Sequence, residues 1–345
     1  MIKLQNYING KQVPPTSEKY LENVCPSTGK NYSLIPDSDK TDVNDAVKAA
    51  RKSFKSWSTI SKQERSDFLM SLADEIEAHS EELVIAESRD NGKPEWLART
   101  VDIPRAPENF RFFATAILHF ESEIHEMDGK AINYTLRQPI GVAGCISPWN
   151  LPLYLLTWKV APAMAAGNTV VAKPSEITPM TAYLFGKICQ KAGLPKGVLN
   201  IVHGTGEKVG DPLTRHPDVP IISFTGGTET GGKIASATAP LFKKLSLEMG
   251  GKNPNIIFSD AKFDHAVDMA VKASFSNQGE ICLCGSRLFV QKDIYDEFKF
   301  AFIEKTRELV VGDPKDKRSN LGAVVSKEHM EKILSKIKQA QDEGG

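Results

Sequence analysis

Apolar residues recur at helical spacing through the first third of the chain and predict four consecutive helices after a short opening segment. The first helix takes Asp42 as its N-cap, since a short carboxylate there can accept a backbone N–H group. Ordinary core packing explains the apolar stripe along this helix and the similar apolar stripes along the other three helices. The stripe of the first helix consists of Val43, Val47, Ala50, Phe54 and Trp57.

Capping and terminating residues set the boundaries of the other three helices. Ser61 and Glu64 have the spacing of a capping box, which predicts that the second helix begins there. The third starts near Ser80 and ends in the stretch 91–94, Asn-Gly-Lys-Pro, because glycine and proline terminate helices. The fourth runs from about Pro104 to Phe120.

From residue 140 onward, short apolar runs alternate with helical stretches. This alternation predicts a parallel sheet covered by helices on both faces, so the expected fold class is α/β. A second α/β unit begins near Asn255, and the last five residues, 341–345, suggest no closing element. The predicted strands are 141–146, 169–172, 198–202 and 221–224, and the predicted helices are 151–166 and 179–192.

The composition argues against nucleic-acid and membrane partners and favours the cytoplasm as the compartment. Forty-three basic residues balance forty-three acidic ones, and there is no basic stripe of the kind that binds nucleic acid or an anionic membrane. The chain lacks the apolar core of a signal peptide and any apolar run of the roughly 18 residues that a membrane span needs. The odd number of scattered cysteines favours reduced thiols in the cytoplasm over a disulfide framework. They are Cys25, Cys145, Cys189, Cys282 and Cys284.

A glycine-flanked loop follows a predicted helix over 266–274 and carries two candidate nucleophiles. A thiol in such a loop can meet a substrate, and a thiolate attacks a carbonyl well. Most lone cysteines are inert apolar fillers, however, and spacing alone does not separate Cys282 from Cys284.

Glu248 is a candidate base, since it lies among apolar residues just before Gly250 and Gly251. A carboxylate in such a place suits the removal of a proton from water. A surface glutamate at a strand end would have the same local sequence.

The stretch 224–232 places glycines between a predicted strand and a helix, where backbone N–H groups can approach a pyrophosphate. Gly226 and Gly231 are five residues apart, so the dinucleotide fingerprint is not matched, and a plain glycine-rich turn is the alternative. The stretch 204–210 has one residue too many for that fingerprint, and we interpret it as a loop and helix cap. Lys173 and Glu176, after another strand, could hold ribose hydroxyls or could simply be solvated charges.

Taken together, five stretches in this order resemble the aldehyde dehydrogenase superfamily from about Tyr7 to the last residue. The resemblance implies that Cys282 is the nucleophile and that Glu248 activates the water that hydrolyses the thioester. It implies that Asn150, with the backbone N–H of Cys282, binds the oxyanion. The five stretches are 146–152, 173–176, 224–226, 247–252 and 279–282.

The resemblance also implies NAD as the cofactor, no metal, and an aldehyde as the substrate. Glu176 would repel the 2′-phosphate of NADP, and Gly227 replaces a serine that many relatives have. Hydride transfer to NAD followed by hydrolysis would give a carboxylic acid. The implied cofactor-binding residues are Ser147, Trp149, Lys173, Ser175, Glu176, Phe224, Thr225, Gly226, Gly227 and Gly231.

Three stretches, 102–105, 150–154 and 280–284, are similar to those of the 2-aminomuconic and 2-hydroxymuconic semialdehyde dehydrogenases. Such substrates carry a carboxylate, which a guanidinium binds well. The likeness assigns Arg105 to substrate binding; Arg111 is the rival, and a structural ion pair with Glu108 is the alternative role.

The resemblance implies a Rossmann-like NAD-binding domain over 1–120 and 140–250, a bridging or oligomerisation segment over 121–139, and a catalytic domain over 251–345. Family chains continue well beyond Gly345, so we expect an incomplete catalytic domain, little or no activity of this chain alone, and a homo-oligomer at full length. Alternatives are a dehydrogenase for succinic semialdehyde or betaine aldehyde, and a non-catalytic NAD-binding or structural protein.

Overall fold

Fourteen β-strands form four sheets in the computed structural model, which describes residues 1–345. Most of them are short, with two to seven residues each. In chain order they are β1 (Ile2–Lys3), β2 (Asn6–Ile8), β3 (Lys11–Val13), β4 (Tyr20–Cys25), β5 (Lys30–Pro36), β6 (Ile124–Glu126), β7 (Ile132–Tyr134), β8 (Val142–Ile146), β9 (Thr169–Lys173), β10 (Leu199–Ile201), β11 (Ile221–Gly226), β12 (Lys244–Met249), β13 (Pro254–Ile257) and β14 (Arg287–Val290).

Twelve α-helices connect and cover these strands, and short π turns precede two of them at 98–102 and 206–210. No helix of the structure combines the length and the apolar character needed to cross a bilayer. The helices are α1 (Lys40–Trp57), α2 (Lys62–Ala78), α3 (Ser80–Asn91), α4 (Glu95–Leu97), α5 (Ile103–Ala116), α6 (Pro152–Ala165), α7 (Met180–Lys191), α8 (Asp211–Arg215), α9 (Thr228–Thr238), α10 (Phe263–Phe275), α11 (Tyr295–Arg307) and α12 (Lys327–Asp342).

The largest sheet has seven strands in the order β12-β11-β8-β9-β10-β2-β3. Strands β8 to β12 are parallel, as the alternating pattern predicts, so the α/β fold class is confirmed. Strand β2 joins β10 in antiparallel orientation. The sequence pattern did not predict β1 to β5, because β1 to β3 have only two or three residues and β4 and β5 lack the continuous apolar run of the central strands.

Both faces of this sheet are covered, since successive residues of a strand point to opposite sides. On one face, Val170 and Ala172 of β9 pack into a core with α2, α5, α6 and α7. On the other face, Val171 packs with residues of α1, α8 and α9. A separate small core around Ile257 and Phe298 joins β13 to α10 and α11.

Several predicted helix boundaries are confirmed and others are wrong. The capping box of Ser61 and Glu64 is present, and α3 ends at Gly92, whose φ of 88° is left-handed. Helix α1 begins three residues earlier than predicted, because Asp39 is the N-cap and Asp42 closes a capping box from the third position. Helix α5 ends at Ala116 instead of Phe120.

The end of the chain also differs from the prediction, because α12 occupies 327–342 where no element was expected. Ser326 caps it by accepting the N–H group of His329, and no residue of the helix is buried. Its apolar residues Met330, Leu334 and Ile337 recur at helical spacing and are exposed, so the sequence did contain a signal for this helix. The stretch 204–210 is a loop and helix cap as predicted, with Thr205 accepting the N–H of Lys208.

Candidate active site

The carboxyl ends of β8, β9 and β11 meet at one edge of the large sheet. From β8 the chain adds β9 and β10 on one side of the sheet, whereas β11 and β12 lie on the other side. The boundary between β8 and β11 is thus a topological switch point, the position where open α/β sheets bind ligands. A cleft of about 610 Å³ lies there. Nine of the ten predicted cofactor residues line it, namely Ser147, Trp149, Lys173, Ser175, Glu176, Phe224, Thr225, Gly226 and Gly227.

The amino end of α9 forms one wall of this cleft. Gly227 is the N-cap and no side chain caps the helix, so the first N–H groups from Thr228 onward remain available for an anion. The helix dipole favours negative charge at the same place. A Cβ atom on Gly227 would meet nothing within 4 Å, which leaves this turn open toward the cleft.

The tenth predicted residue, Gly231, lies behind the cleft wall. A Cβ atom on it would lie 2.5 Å from the Sδ atom of Met249, so this glycine lets α9 approach β12 closely. Its position suggests a packing role for Gly231, without a direct contact to a ligand in the cleft.

Lys173 and Glu176 form an ion pair at the opposite wall, with 2.6 Å between Nζ and Oε2. Burial acts to raise the pKa of Glu176, but the charge and hydrogen bond of Lys173 outweigh it, so the pKa is lowered. Glu176 is therefore a carboxylate that can accept hydrogen bonds from hydroxyl groups. The hydroxyl of Ser147 is buried in the same wall without a partner. An anion-binding helix end, a carboxylate and a free hydroxyl fit a dinucleotide.

Asn150 follows β8 and lies beside the loop that carries Cys282. Its Nδ2 atom donates to the backbone oxygen of Glu280 at 2.7 Å, which fixes the side-chain amide and leaves its second N–H free. Its Oδ1 atom is buried without a partner. The amide of Asn277 in turn donates to the backbone oxygen of Asn150 at 3.2 Å.

The loop before Cys282 has an unusual backbone. Asn277, Gln278 and Gly279 all have left-handed conformations, with φ of 52°, 58° and 76°. Two of these residues are not glycine, and such conformations are costly and often occur at functional sites. The turn ends α10 and leads to Cys282, whose side chain is exposed.

Glu248 reaches the same region from β12. Its strand is the edge of the large sheet, and its side chain is exposed. The chain then turns through Gly250 and Gly251 to Asn253, whose Nδ2 atom donates to the backbone oxygen of Cys282 at 2.6 Å. The segments of Asn150, Glu248 and Cys282 therefore converge.

The other cysteines have less suitable surroundings for a nucleophile. Burial raises the pKa of Cys145 to about 12 and also raises the pKa of Cys189. Cys284 is half-buried, and burial raises the pKa of its thiol as well. The exposure of Cys282 supports this residue over Cys284, the choice that spacing alone left open.

Two polar residues near the site, Lys159 and His329, were missed by sequence reasoning. Lys159 of α6 is buried and donates to Ser223 Oγ at 3.3 Å; burial lowers its pKa, against the opposing influence of the charge of Glu248. The sequence signal for Lys159 was that it is the one charged residue in the otherwise apolar helix α6. The ring of His329 lies 4.8 Å from that of Trp149, and its Nε2 atom lies 3.6 Å from Glu280.

The two candidate arginines on α5 differ in their partners. Arg105 makes one ion pair of 3.4 Å with Glu108, the alternative role that the sequence left open, and both side chains are exposed. Arg111 is bound by Glu77 at 2.5 Å and by Asp74 at 2.8 Å, and these hydrogen bonds raise its pKa. Arg105 is thus the guanidinium with more free donors.

Comparisons with known proteins agree with this geometry. The sequence profile of the aldehyde dehydrogenase family matches residues 13–345. The 2-aminomuconic semialdehyde dehydrogenase of Homo sapiens is 55% identical over 345 residues, which are 100% of this chain and 70% of the relative. The 2-hydroxymuconic semialdehyde dehydrogenase of Pseudomonas sp. (strain CF600) is 44% identical over 350 residues, again covering 100% of this chain and 72% of the relative.

Solved structures give the same result. An aldehyde dehydrogenase from Bacillus cereus, solved as its NAD+ complex, matches with a TM-score of 0.97 and 36% identity. The match covers 99% of this chain and 70% of that one. The predicted resemblance is confirmed: the chain belongs to the aldehyde dehydrogenase family of oxidoreductases.

Proposed function

We propose that this chain carries the NAD-dependent oxidation of a carboxylated semialdehyde, such as 2-aminomuconic semialdehyde, to a carboxylic acid. The observation that carries the proposal is the convergence of three segments beside the nucleotide-sized cleft. These segments carry an exposed thiol, an amide with a free N–H and an exposed carboxylate, which are the three groups that the proposed reaction needs.

In the first half of the reaction, the thiolate of Cys282 forms a C–S bond with the aldehyde carbon. The carbonyl oxygen takes up the negative charge, and the free N–H of Asn150 stabilises it together with the backbone N–H of Cys282. NAD bound in the cleft supplies the acceptor for the hydride that converts this thiohemiacetal to a thioester.

In the second half, the carboxylate of Glu248 takes a proton from water, whose oxygen attacks the thioester carbon. The C–S bond breaks, the thiolate of Cys282 is restored and the carboxylic acid leaves. The buried ammonium of Lys159 lies close enough for the charge of Glu248 to act on it.

The choice of NAD over NADP follows from Glu176. Its lowered pKa keeps the side chain charged, so it accepts hydrogen bonds from ribose hydroxyls and repels a 2′-phosphate. Lys173 is mostly buried and already paired with Glu176, so it is poorly placed to offset that repulsion.

The substrate class rests on the names of the relatives and on Arg105. Two relatives that match the whole of this chain are named for muconic semialdehydes, which carry a carboxylate. Arg105 offers a guanidinium with free donors for such a group.

A homo-oligomer in the cytoplasm is the expected setting. The hairpin β6–β7 is exposed along its whole length, and its apolar residues Ile124 and Ile132 are 70% and 69% exposed. These residues suit contact with a second copy. All five cysteines are free, as a reducing compartment requires.

The test is NADH formation from a muconic-type semialdehyde and from neutral aldehydes. It is run on this chain and on the chain extended by the C-terminal part of a relative, with Cys282→Ala as control. Turnover that needs Cys282 and favours the acidic substrate supports the proposal. With Glu248→Gln, a single burst of NADH should precede slow turnover, because the thioester persists. Cofactor binding without turnover in either form would favour a non-catalytic NAD-binding protein instead.

A further inference from the structure

Lys93 is a completely buried lysine between α3 and α4. In the sequence it belongs to the Asn-Gly-Lys-Pro stretch that terminates α3, and chain termination does not require a lysine. Burying an ammonium group is costly unless it is paired and hydrogen-bonded. The contacts of Lys93 therefore indicate what the buried charge does.

The Nζ atom of Lys93 donates to the backbone oxygen of Asn150 at 3.0 Å. The same oxygen accepts from Asn277 at 3.2 Å and from Asn91 at 3.4 Å, so Lys93 is the nearest of the three donors and the charged one. A charged donor makes the stronger hydrogen bond. Lys93 thus holds the residue whose side-chain amide faces the Cys282 loop.

The ammonium group is itself fixed by Asp102, with which it forms a buried ion pair. Asp102 lies in the π turn before α5, and its side chain is 1% exposed. Glu87 of α3 lies near this pair and is completely buried, and burial raises its pKa to about 8. Burial raises the pKa of Asp102 as well, but Asp102 is the carboxylate that Lys93 contacts directly, so the geometry makes it the counter-charge of Lys93.

The backbone of Lys93 is constrained as well. Ser88 Oγ donates to the backbone oxygen of Lys93 at 2.6 Å. The preceding Gly92 has left-handed φ, and a Cβ atom there would lie 2.7 Å from the backbone oxygen of Ala323. The backbone and the ammonium group of Lys93 are therefore both held in place, and the ammonium group fixes the backbone oxygen of Asn150.

We propose that Lys93, fixed by Asp102, is a positioning residue that orients the oxyanion-binding amide of Asn150. The inference rests on the proposed function, in which Asn150 stabilises an oxyanion. Lys93 does not touch the substrate; it acts through the backbone of Asn150.

The test compares two reactions of the Cys282 thiol that need no NAD. Acylation by p-nitrophenyl acetate passes through an oxyanion, whereas alkylation by iodoacetamide does not. The variant is the double replacement Lys93→Met with Asp102→Leu, which removes both charges and leaves neither unpaired. Acylation should slow by about tenfold or more, since complete loss of one oxyanion donor costs about 100- to 1,000-fold and its misorientation costs part of that. Alkylation should stay within about twofold of the wild-type rate.

Arg65→Met is the matched control, because Arg65 is also a buried cation bound to backbone oxygens, those of Ala165 and Ile60, away from the site. It should leave the ratio of acylation to alkylation unchanged.

In an Asn150→Ala background, the Lys93/Asp102 double replacement should add little further loss of acylation rate, since both changes remove the same contribution. Lys93→Arg should restore part of the acylation rate.

Three contrary outcomes are distinguishable. If Asn150→Ala slows acylation and the Lys93/Asp102 replacement does not, this inference is wrong and the proposed function stands. If both rates fall equally in the replacement, Lys93 has only a structural role. If wild-type Cys282 is not acylated, or Asn150→Ala has no effect, the proposed function fails and this inference fails with it.

Discussion

The backbone oxygen of Cys282 lies 2.8 Å from the position that a Cβ atom on Gly251 would occupy. Asn253, two residues after Gly251, binds that same oxygen. The turn after β12 is therefore packed directly against the peptide of the cysteine, and it carries Glu248 at its other end. Glycine at 251 sets the distance between the two segments.

Gly251→Ala should displace the Cys282 backbone, because no L side chain fits in that gap without a shift. We expect kcat to fall by about 10- to 100-fold, as small displacements of reacting groups do. Gly250→Ala is the control, since a Cβ atom at Gly250 meets nothing within 4 Å. Steady-state kinetics and iodoacetamide labelling of the extended chain measure the effect. Equal rates for the two variants would show that the contact has no influence on the thiol.

A second glycine pair tests the cleft. A Cβ atom on Gly226 would lie 2.5 Å from the ring of Phe224, whereas one on Gly227 would lie in open space. Gly226→Ala should push this ring into the cleft and weaken NAD binding, while Gly227→Ala should bind NAD nearly as the wild type does. Titration of the fluorescence of Trp149, which lines the cleft, measures the affinity. Wild-type affinity in both variants would place NAD elsewhere.

Arg105→Ala should raise KM for acidic aldehydes much more than for neutral ones, because only the former have a carboxylate to lose its partner. Arg111→Ala is the comparison, since its guanidinium already binds Glu77 and Asp74. Kinetics on a matched pair of acidic and neutral aldehydes give the two ratios. An equal effect on both substrates in the Arg105 variant would contradict the assignment.

His203 should make the fold sensitive to acid. Burial, aided by the charge of Lys173, lowers the pKa of His203 from 6.5 to about 3, and neither ring nitrogen has a partner. Below pH 6.5 the unfolded chain takes up a proton that the folded chain does not, so the free energy of unfolding decreases as the pH falls toward 3. Between pH of about 7.5 and 5 this loss is about 2 kcal/mol.

Urea unfolding at these two pH values measures the loss. His203→Leu should reduce the difference by that amount, because leucine does not titrate and no hydrogen bond of the imidazole is lost. The exposed His265→Leu is the control and should leave the difference nearly unchanged. If His203→Leu retained the wild-type acid sensitivity, other groups would be responsible.

Sequence patterns predicted the parts of the molecule in which local and tertiary preferences agree. Strand β8 is apolar throughout, β9 is apolar between Thr169 and Lys173, and β11 leads into a glycine-rich turn. A parallel sheet brings the carboxyl ends of these strands together without further information. Lys173, Glu176 and the glycine-rich stretch after β11 could be predicted for this reason, whereas the other cleft residues were predicted from the family resemblance. The division into domains and the roles of the individual site residues remain predictions.

What the sequence could not provide depends on distant partners. Strand β2 has three residues and is completed by β10, almost two hundred positions later. Lys93 looks like part of a helix terminator until Asn150 and Asp102 are placed around it. Gly231 fits a phosphate turn by its spacing, and only the packing of α9 on β12 shows that it lies behind the cleft wall.

Strand β12, described above as the edge of the large sheet, pairs only with β11. Half of its backbone groups therefore lack a partner strand, whereas β8 and β9 have neighbours on both sides. Opening of β12 breaks one ladder of hydrogen bonds, so its amide hydrogens should exchange with solvent sooner than those of β9. The proposed base is thus carried by the most readily opened strand of the parallel set, and the cleft residues of β8, β9 and β11 by more protected strands. The strand that carries the proposed deacylation base would therefore open transiently while the strands beside the cleft remain hydrogen-bonded.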